Sequence, residues 1–271
     1  MHGPSPIHPL ARPIRVASVS YFNSKPLIEG LDREPAITLS LAVPAKLVDG
    51  LQRGETDVAL LPVIDYQRLE NLVIIPAGCI GCDGPTLTVR IFSRVPIDLI
   101  QTLACDAESH TSVALARVIL AERYNRQPTF VSLETSHQQP ESLLLIGDKV
   151  VCEEPTGYPF QLDLGEAWKS LTGLPFVFAI WTARKGIDLG SVPTLLKAAK
   201  KQGLAVVDRL VTEHAIPRGW PADIAKKYLT EYLNYNVGPR QIEAIQLFHS
   251  LAWKHGALSQ EPRPLDVLEV S

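Results

Sequence analysis

Three short polar clusters carry residue types that suit the binding of a small anion. They occupy residues 20–24 (SYFNS), 109–112 (SHTS) and 147–148 (GD), each directly after a predicted strand or its loop. Ligands of open α/β sheets bind where strands end. The first two clusters also open predicted helices, whose free N–H groups and positive dipole end attract carboxylates or phosphates. Any one cluster alone is explained equally well as helix capping, but three together favour a site for a small anionic ligand.

Other reactive signatures are weak or missing from the sequence. It contains no phosphate-binding lysine loop and no GxGxxG, HExxH or GxSxG motif. Cys79 and Cys82 form a CxxC pair, which could be half of a zinc site or a redox dithiol. A zinc site needs four ligands, yet Cys105 and Cys152 stand without neighbouring histidines. A redox pair should begin a helix, whereas this one precedes a predicted turn and strand. We therefore expect no metal, no cofactor and no cysteine chemistry.

The elements that must position the clusters alternate between short apolar strands and helices. Residues 14–20, 37–43 and 57–63 are predicted strands, separated by helices that begin near Asn23 and at Pro44. This order is the βαβαβ signature of a parallel α/β sheet.

A second α/β unit is predicted within the chain, and helices follow it. Gly78, Gly81 and Gly84 separate two of its strands, so we interpret them as turn residues. Every segment from residue 191 onward is predicted to be helical. The order predicts two α/β lobes with a ligand cleft between them. The further predicted strands are 72–77, 87–92, 103–105, 129–133, 143–146 and 176–182, and the further helices are 114–124 and 165–171.

Composition excludes several classes of partner. The chain has 271 residues, of which 46% are hydrophobic, and 26 basic against 29 acidic residues give a net charge of −3. No run of Lys or Arg exceeds two residues, so we expect no nucleic-acid partner. The apolar stretches are too short to cross a bilayer, and the proline-broken N-terminus lacks the pattern of a secretory signal. With few cysteines, these features lead us to expect a cytoplasmic protein without a membrane partner.

An ordered set of motifs resembles one enzyme family. The motifs run through most of the chain, and their order is more specific than any one of them. The sequence is similar in this respect to the chorismate dehydratases of the futalosine route to menaquinone. The motifs are SYFNSKPL at 20–27, GETDVALLP at 54–62, DGP at 83–85, LLIGD at 144–148, DLGEAW at 163–168 and TGLPFVFAIW at 172–181.

The resemblance implies a fold like that of type II periplasmic binding proteins, with two lobes joined by two crossovers. We expect residues 14–95 and 183–271 to form the first lobe, residues 96–182 to form the second, and residues 1–13 to be a tail. The implied reaction converts chorismate, a dicarboxylate, to 3-[(1-carboxyvinyl)oxy]benzoate and water. Aromatisation drives this elimination, so the resemblance implies no cofactor.

The resemblance also assigns roles to individual residues. Asn23 falls on the active-site Asn of the family, and Thr88 stands where the family usually has Ser, so both are predicted catalytic residues. His110 stands where Arg is more common, which leaves backbone N–H groups to hold a carboxylate. No strong base is evident, and we expect a substrate carboxylate to take the proton. The predicted substrate-binding residues are Ser20, Tyr21, Ser24, Pro62, Thr111, Ser112, Gly147 and Asp148.

Two other functions remain open at the level of sequence. The fold is shared with solute-binding proteins, so the chain could capture a small anion without changing it. The sister enzyme of the pathway, which acts on cyclic dehypoxanthinyl futalosine, also shares the fold. In that enzyme the set of motifs starts with a sequence resembling Cys-Pro-Asn-Asp, and a His usually stands at the position of Gly147. Neither feature occurs here.

Overall fold

A computed structural model describes residues 12–106, 109–135 and 140–269. These residues form two five-stranded sheets with helices packed on them. The strands are β1 Ile14–Ser18, β2 Ile37–Leu41, β3 Val58–Pro62, β4 Leu72–Cys82, β5 Val89–Ser93, β6 Thr102–Cys105, β7 Thr129–Ser132, β8 Ser142–Ile146, β9 Phe160–Asp163 and β10 Phe176–Arg184.

The helices vary in length from a single turn to more than four turns. Two π-helical turns, Val211–Ala215 and Tyr228–Tyr232, interrupt the C-terminal helices. The α-helices are α1 Lys25–Ile28, α2 Pro44–Arg53, α3 His110–Tyr124, α4 Asp148–Cys152, α5 Leu164–Thr172, α6 Val192–Ala205, α7 Val207–Leu210, α8 Ala222–Lys227 and α9 Pro239–Lys254.

Local sequence explains where several elements begin and end. All five residues of β3 are apolar and buried, as expected for an inner strand covered on both faces. Helix α2 begins at Pro44, whose missing N–H is not needed in the first turn. It ends before Gly54, which has a φ of 70° and closes the helix in the left-handed conformation.

The two sheets assign the strands to two lobes. The first sheet has the order β2-β1-β3-β10-β4, and the second has the order β7-β6-β8-β5-β9. The predicted parallel pairing holds for β1, β2 and β3, but β10 runs antiparallel to both β3 and β4. We call the part built on the first sheet the first lobe and the part built on the second sheet the second lobe.

The lobe boundaries predicted from the sequence, 95/96 and 182/183, are wrong. Strand β5 pairs with β8 and β9, so it belongs to the second lobe. Strand β10 returns to the first sheet, where it inserts between β3 and β4. The chain therefore crosses between lobes at residues 83–88 and again at 173–175. Residues 1–11 of the predicted tail lie outside the described residues, and Arg12 forms an ion pair with buried Asp57 at 2.7 Å.

A buried carboxylate fixes the first crossover to the second lobe. Asp163 accepts hydrogen bonds from the N–H groups of Thr86 and Leu87, at 3.0 and 2.9 Å. It also caps α5 by accepting from the N–H groups of Gly165 and Glu166. Leu87 has a φ of 65°, a conformation rare for a leucine, so these bonds hold a strained backbone next to Thr88.

The predicted turn glycines lie in different places. Gly78 and Gly81 are inside β4, because that strand continues through the CxxC pair to Cys82. A side chain at Gly81 would lie 2.5 Å from the carbonyl oxygen of Phe176, so this glycine permits close pairing with β10. Gly84, with a φ of 138°, lies in the first crossover.

The largest apolar cluster joins the two lobes. It combines Ile74 of the first sheet with Leu115 of α3, and Trp168 packs edge-on against Phe176 and Phe248. Within the described ranges, no helix is both long and apolar enough to cross a membrane.

Candidate functional site

A cavity of about 310 Å³ lies between the two lobes. Its walls come from the loop after β1, from β3 and β10, from the first crossover, from the starts of α3 and α4, and from the C-terminal helices. The volume is at the lower end of the range for small-molecule sites. The lobes therefore form a pocket suited to a small ligand.

Eight of the ten predicted site residues line this cavity, namely Tyr21, Asn23, Pro62, Thr88, Thr111, Ser112, Gly147 and Asp148. Ser20 and Ser24 do not line it. Ser20 is exposed, and Ser24 is fully buried with its hydroxyl donating to the carbonyl oxygens of Val19 and Tyr21, at 2.7 and 2.8 Å. Ser24 thus holds the turn after β1 rather than a ligand.

Asn23 lies in a one-turn 3-10 segment, Phe22–Ser24, between β1 and α1. Its side-chain oxygen Oδ1 is buried and has no hydrogen-bond partner. Its backbone carbonyl accepts a hydrogen bond from the hydroxyl of Tyr235 at 2.9 Å. No side-chain cap occurs at this segment or at α1, so the alternative interpretation of Asn23 as a helix cap is not supported. A buried amide oxygen without a partner on a cavity wall is suited to accept a hydrogen bond from a ligand.

Thr88 lies at the end of the first crossover and is almost fully buried. Its Oγ1 is 2.8 Å from the hydroxyl oxygen of Tyr228. Tyr228 also lines the cavity and was missed by the sequence analysis, which assigned residues 221–233 to a helix without a role. No local signal distinguishes Tyr228 from the other tyrosines of the chain.

The start of α3 carries hydrogen-bond donors that are suited to binding an anion. This helix has 15 residues, and Ser109 at its N-cap makes no side-chain cap bond. The first-turn N–H groups of a helix have no partner within it. The hydroxyl Oγ1 of Thr111 is buried, faces the same cavity, and has no hydrogen-bond partner. The cluster at residues 20–24 does not provide a second helix N-terminus for an anion, because α1 has only four residues.

His110 contacts an acidic side chain of the other lobe. Its Nδ1 lies 2.9 Å from Oδ2 of Asp65, a fully buried carboxylate that also accepts from Arg68 at 2.8 Å. The contact joins the start of α3 to the 3-10 segment after β3. His110 therefore binds the lobes together here, and the N–H groups of Thr111 and Ser112 are the donors left for a carboxylate.

A second polar contact joins the lobes on another wall of the cavity. The indole Nε1 of Trp220, in the C-terminal region, donates to Oδ1 of Asp148 at 2.7 Å. Arg218 lies 3.7 Å from the other oxygen of that carboxylate. With the His110 contact and the Thr88–Tyr228 contact, this bond connects the two lobes beside the cavity.

Burial keeps the phenol of Tyr228 and two nearby thiols in their neutral, protonated forms. Burial raises the pKa of Tyr228 to about 12, although hydrogen bonds with Thr88 and Asn23 act in the opposite direction. Burial also raises the pKa of Cys79 and of Cys82 to about 12, so both thiols stay protonated. In the part of the chain that the structure describes, no group of three or more His, Cys, Asp or Glu side chains could hold a metal ion.

A family model for menaquinone biosynthesis matches residues 14–254. The chain belongs to this menaquinone biosynthesis family. A chorismate dehydratase from Thermus thermophilus is 28% identical over 244 residues, which cover 82% of this chain and 89% of that protein.

Solved structures place the fold among periplasmic binding proteins. A structural-genomics protein from Archaeoglobus fulgidus superposes with a TM-score of 0.70 at 16% identity, covering 92% of this chain and 99% of that one. The alkanesulfonate-binding protein of Xanthomonas axonopodis pv. citri, bound to MOPS, gives 0.67 at 14% identity, with 93% and 97% covered. A Candida albicans protein described as having the generic periplasmic binding protein fold gives 0.58 at 13% identity, with 96% and 98% covered. The predicted fold class is confirmed.

Proposed function

We propose that the protein is a lyase that converts chorismate to 3-[(1-carboxyvinyl)oxy]benzoate and water, an early step of menaquinone biosynthesis. The observation that carries this proposal is the cavity between the lobes, which combines the unpartnered donors at the start of α3 with neutral hydrogen-bonding groups at Asn23 and Thr88. The Thermus thermophilus relative, a chorismate dehydratase, supports the same reaction.

The start of α3 holds one carboxylate of the substrate. The N–H groups of Thr111 and Ser112 and the hydroxyl of Thr111 donate to its oxygens, and the helix dipole adds a favourable field. These donors carry no formal charge, so they bind the anion without neutralising it. The second carboxylate then keeps the basicity that the elimination requires.

Elimination removes the hydrogen on C3 and the hydroxyl on C4 of the substrate ring. The electron pair of the C3–H bond becomes the third double bond of the ring as the C4–O bond breaks. We propose that the second substrate carboxylate takes the proton, which leaves with the hydroxyl as water. Asn23 and Thr88, on the wall of the cavity, orient the departing hydroxyl.

The reaction can be tested with two substrates in parallel. Purified protein is incubated with chorismate or with cyclic dehypoxanthinyl futalosine. Loss of the chorismate diene absorbance is followed by spectrophotometry, and the products are separated by chromatography. We expect turnover of chorismate alone. Turnover of the futalosine derivative alone would assign the chain to the sister activity and overturn the proposal.

Binding without chemistry is the second candidate function. The likeness to the alkanesulfonate-binding protein, which holds MOPS, favours it because that protein captures a small anion with the same fold. Calorimetric titration separates the two functions. A stable complex with chorismate that is recovered unchanged would support a binding protein, whereas release of the aromatic product supports the lyase.

A further inference from the structure

Tyr228 is held rigidly beside the two proposed catalytic residues. It opens the π-helical turn Tyr228–Tyr232 and is 2% exposed. Its ring packs against those of Trp220 and Phe22, with centroids 5.1 and 6.2 Å away. π-Helical turns within α-helices are frequent at functional sites. The phenol hydroxyl consequently has a fixed position on the wall of the cavity.

Thr88 is fixed from the other lobe in every respect except the rotation of its hydroxyl. Its backbone N–H donates to the carbonyl of Thr86 at 2.7 Å, and its carbonyl accepts from the N–H of Gly147 at 2.9 Å. The preceding backbone is held by Asp163. The direction of the Thr88 hydroxyl proton therefore depends on the partner of Oγ1.

The contacts around the phenol oxygen determine which way this hydrogen bond runs. An interaction with the Asn23 side chain lowers the pKa of Tyr228, which is the effect of a donor near the phenol oxygen. The amide oxygen of Asn23 has no partner, so it does not receive the phenol proton. Oγ1 of Thr88 lies 2.8 Å from the phenol oxygen and can accept its proton. With Tyr228 as the donor in this bond, Thr88 keeps its own proton for the cavity.

We propose that Tyr228 is a positioning residue that orients the Thr88 hydroxyl as a donor toward the departing substrate hydroxyl. The chain of bonds runs from the Asn23 amide to the Tyr228 hydroxyl and then to Thr88. It presents Oδ1 of Asn23 as an acceptor and the Thr88 O–H as a donor to the cavity. This pair matches a leaving hydroxyl, which donates one hydrogen bond and gains an acceptor lone pair as the C–O bond breaks. The inference rests on the proposed lyase function.

The test replaces Tyr228 with Phe, which keeps the ring and its packing but removes the hydroxyl. We expect kcat for chorismate to fall about tenfold, with KM within twofold of the wild-type value, because the hydroxyl does not itself seat the substrate. Thr88→Val should lower kcat more. The double variant Tyr228→Phe/Thr88→Val should be no slower than Thr88→Val alone, because one residue acts through the other.

Tyr158→Phe is the matched control. Tyr158 is also buried, and its hydroxyl donates to the carbonyl of Pro140 at 2.9 Å, but it does not line the cavity. Its removal should lower the melting temperature by a similar amount and leave kcat unchanged. Equal kcat values for Tyr228→Phe and Tyr158→Phe would overturn the positioning role while leaving the lyase function intact. Multiplicative losses in the double variant would also overturn it.

A wild-type protein without activity on chorismate would instead overturn the proposed function. The coupling of Tyr228 with Thr88 is then measured by thermal unfolding, which needs no substrate. The four proteins compared are the wild type, Tyr228→Phe, Thr88→Val and the double variant. Melting-temperature losses that add independently would show that the hydroxyls do not interact, which contradicts the inference. If the double variant melts no lower than the less stable of the two single variants, the two hydroxyls interact, which supports the inference.

Discussion

Asn23 and Ser24 are neighbours in sequence, but the structure predicts opposite effects when each is replaced by alanine. Asn23 faces the cavity with a buried amide oxygen that has no partner. Ser24 faces away from it, with its hydroxyl bonded to two backbone carbonyls. We expect Asn23→Ala to impair turnover without loss of stability, and Ser24→Ala to impair stability without loss of turnover.

The magnitudes follow from the contacts that each substitution removes. Asn23→Ala loses the hydrogen bond to Tyr228, worth about 1 kcal/mol, but also removes an unpaired buried oxygen that costs about 1–3 kcal/mol. The two effects nearly cancel. Ser24→Ala removes a buried hydroxyl that donates to two carbonyls and should cost about 1 kcal/mol, because each carbonyl keeps a second donor. For a chain of this size, each kcal/mol lowers the melting temperature by roughly 2–4 °C.

The catalytic effect is larger for Asn23. Loss of one positioned hydrogen-bonding group in an enclosed site lowers kcat by about a hundredfold, equivalent to about 2.7 kcal/mol of transition-state stabilisation. Initial rates of chorismate loss and thermal melts of both variants give the comparison. If Asn23→Ala turns over chorismate at the wild-type rate, or if Ser24→Ala is the slower variant, our account of the turn after β1 is incorrect.

Three further effects are expected. Cys79 and Cys82 should resist alkylation in the native protein while Cys152 reacts, and replacing Cys79 and Cys82 with alanine should leave kcat unchanged; protein mass spectrometry and initial rates check this. Burial lowers the pKa of His249 to about 4, so the unfolded chain binds a proton that the native state rejects. Stability should therefore fall by up to about 3 kcal/mol as pH drops from 6.5 to 4, and urea unfolding of His249→Gln should show a flatter dependence. Asp163→Ala, which frees the N–H groups of the first crossover, should lower both melting temperature and kcat.

Much of the fold could be predicted because the signals are local. Strand β3 is a run of apolar residues, and α2 begins with Pro44 and ends before Gly54. The lobe boundaries could not be predicted in this way. Strands β5 and β10 are both mainly apolar, and only their pairing partners determine the sheet that each one joins. Such pairing depends on contacts distant in sequence, which local patterns do not report.

The lining of the cavity was predicted in part for the same reason. Asn23 and Thr111 lie at strand and helix ends, where position along the chain indicates a role. Tyr228 carries no such signal, since its hydroxyl reaches Thr88 across 140 residues of sequence. Ser24 shows the opposite error, because a hydroxyl beside a site can equally bind its own backbone.

The most direct test of our proposal is to identify the product formed from chorismate by proton NMR. We predict that the signal of the ring hydrogen on C3 is lost, that the hydrogen on C4 moves to the aromatic region as part of a meta-substituted benzoate, and that the vinyl hydrogens of the enolpyruvyl group persist. The wild-type protein should convert chorismate completely with no added metal or cofactor. Unchanged chorismate, or a product that has lost the enolpyruvyl group, would contradict the assignment of this cavity to the dehydration of chorismate.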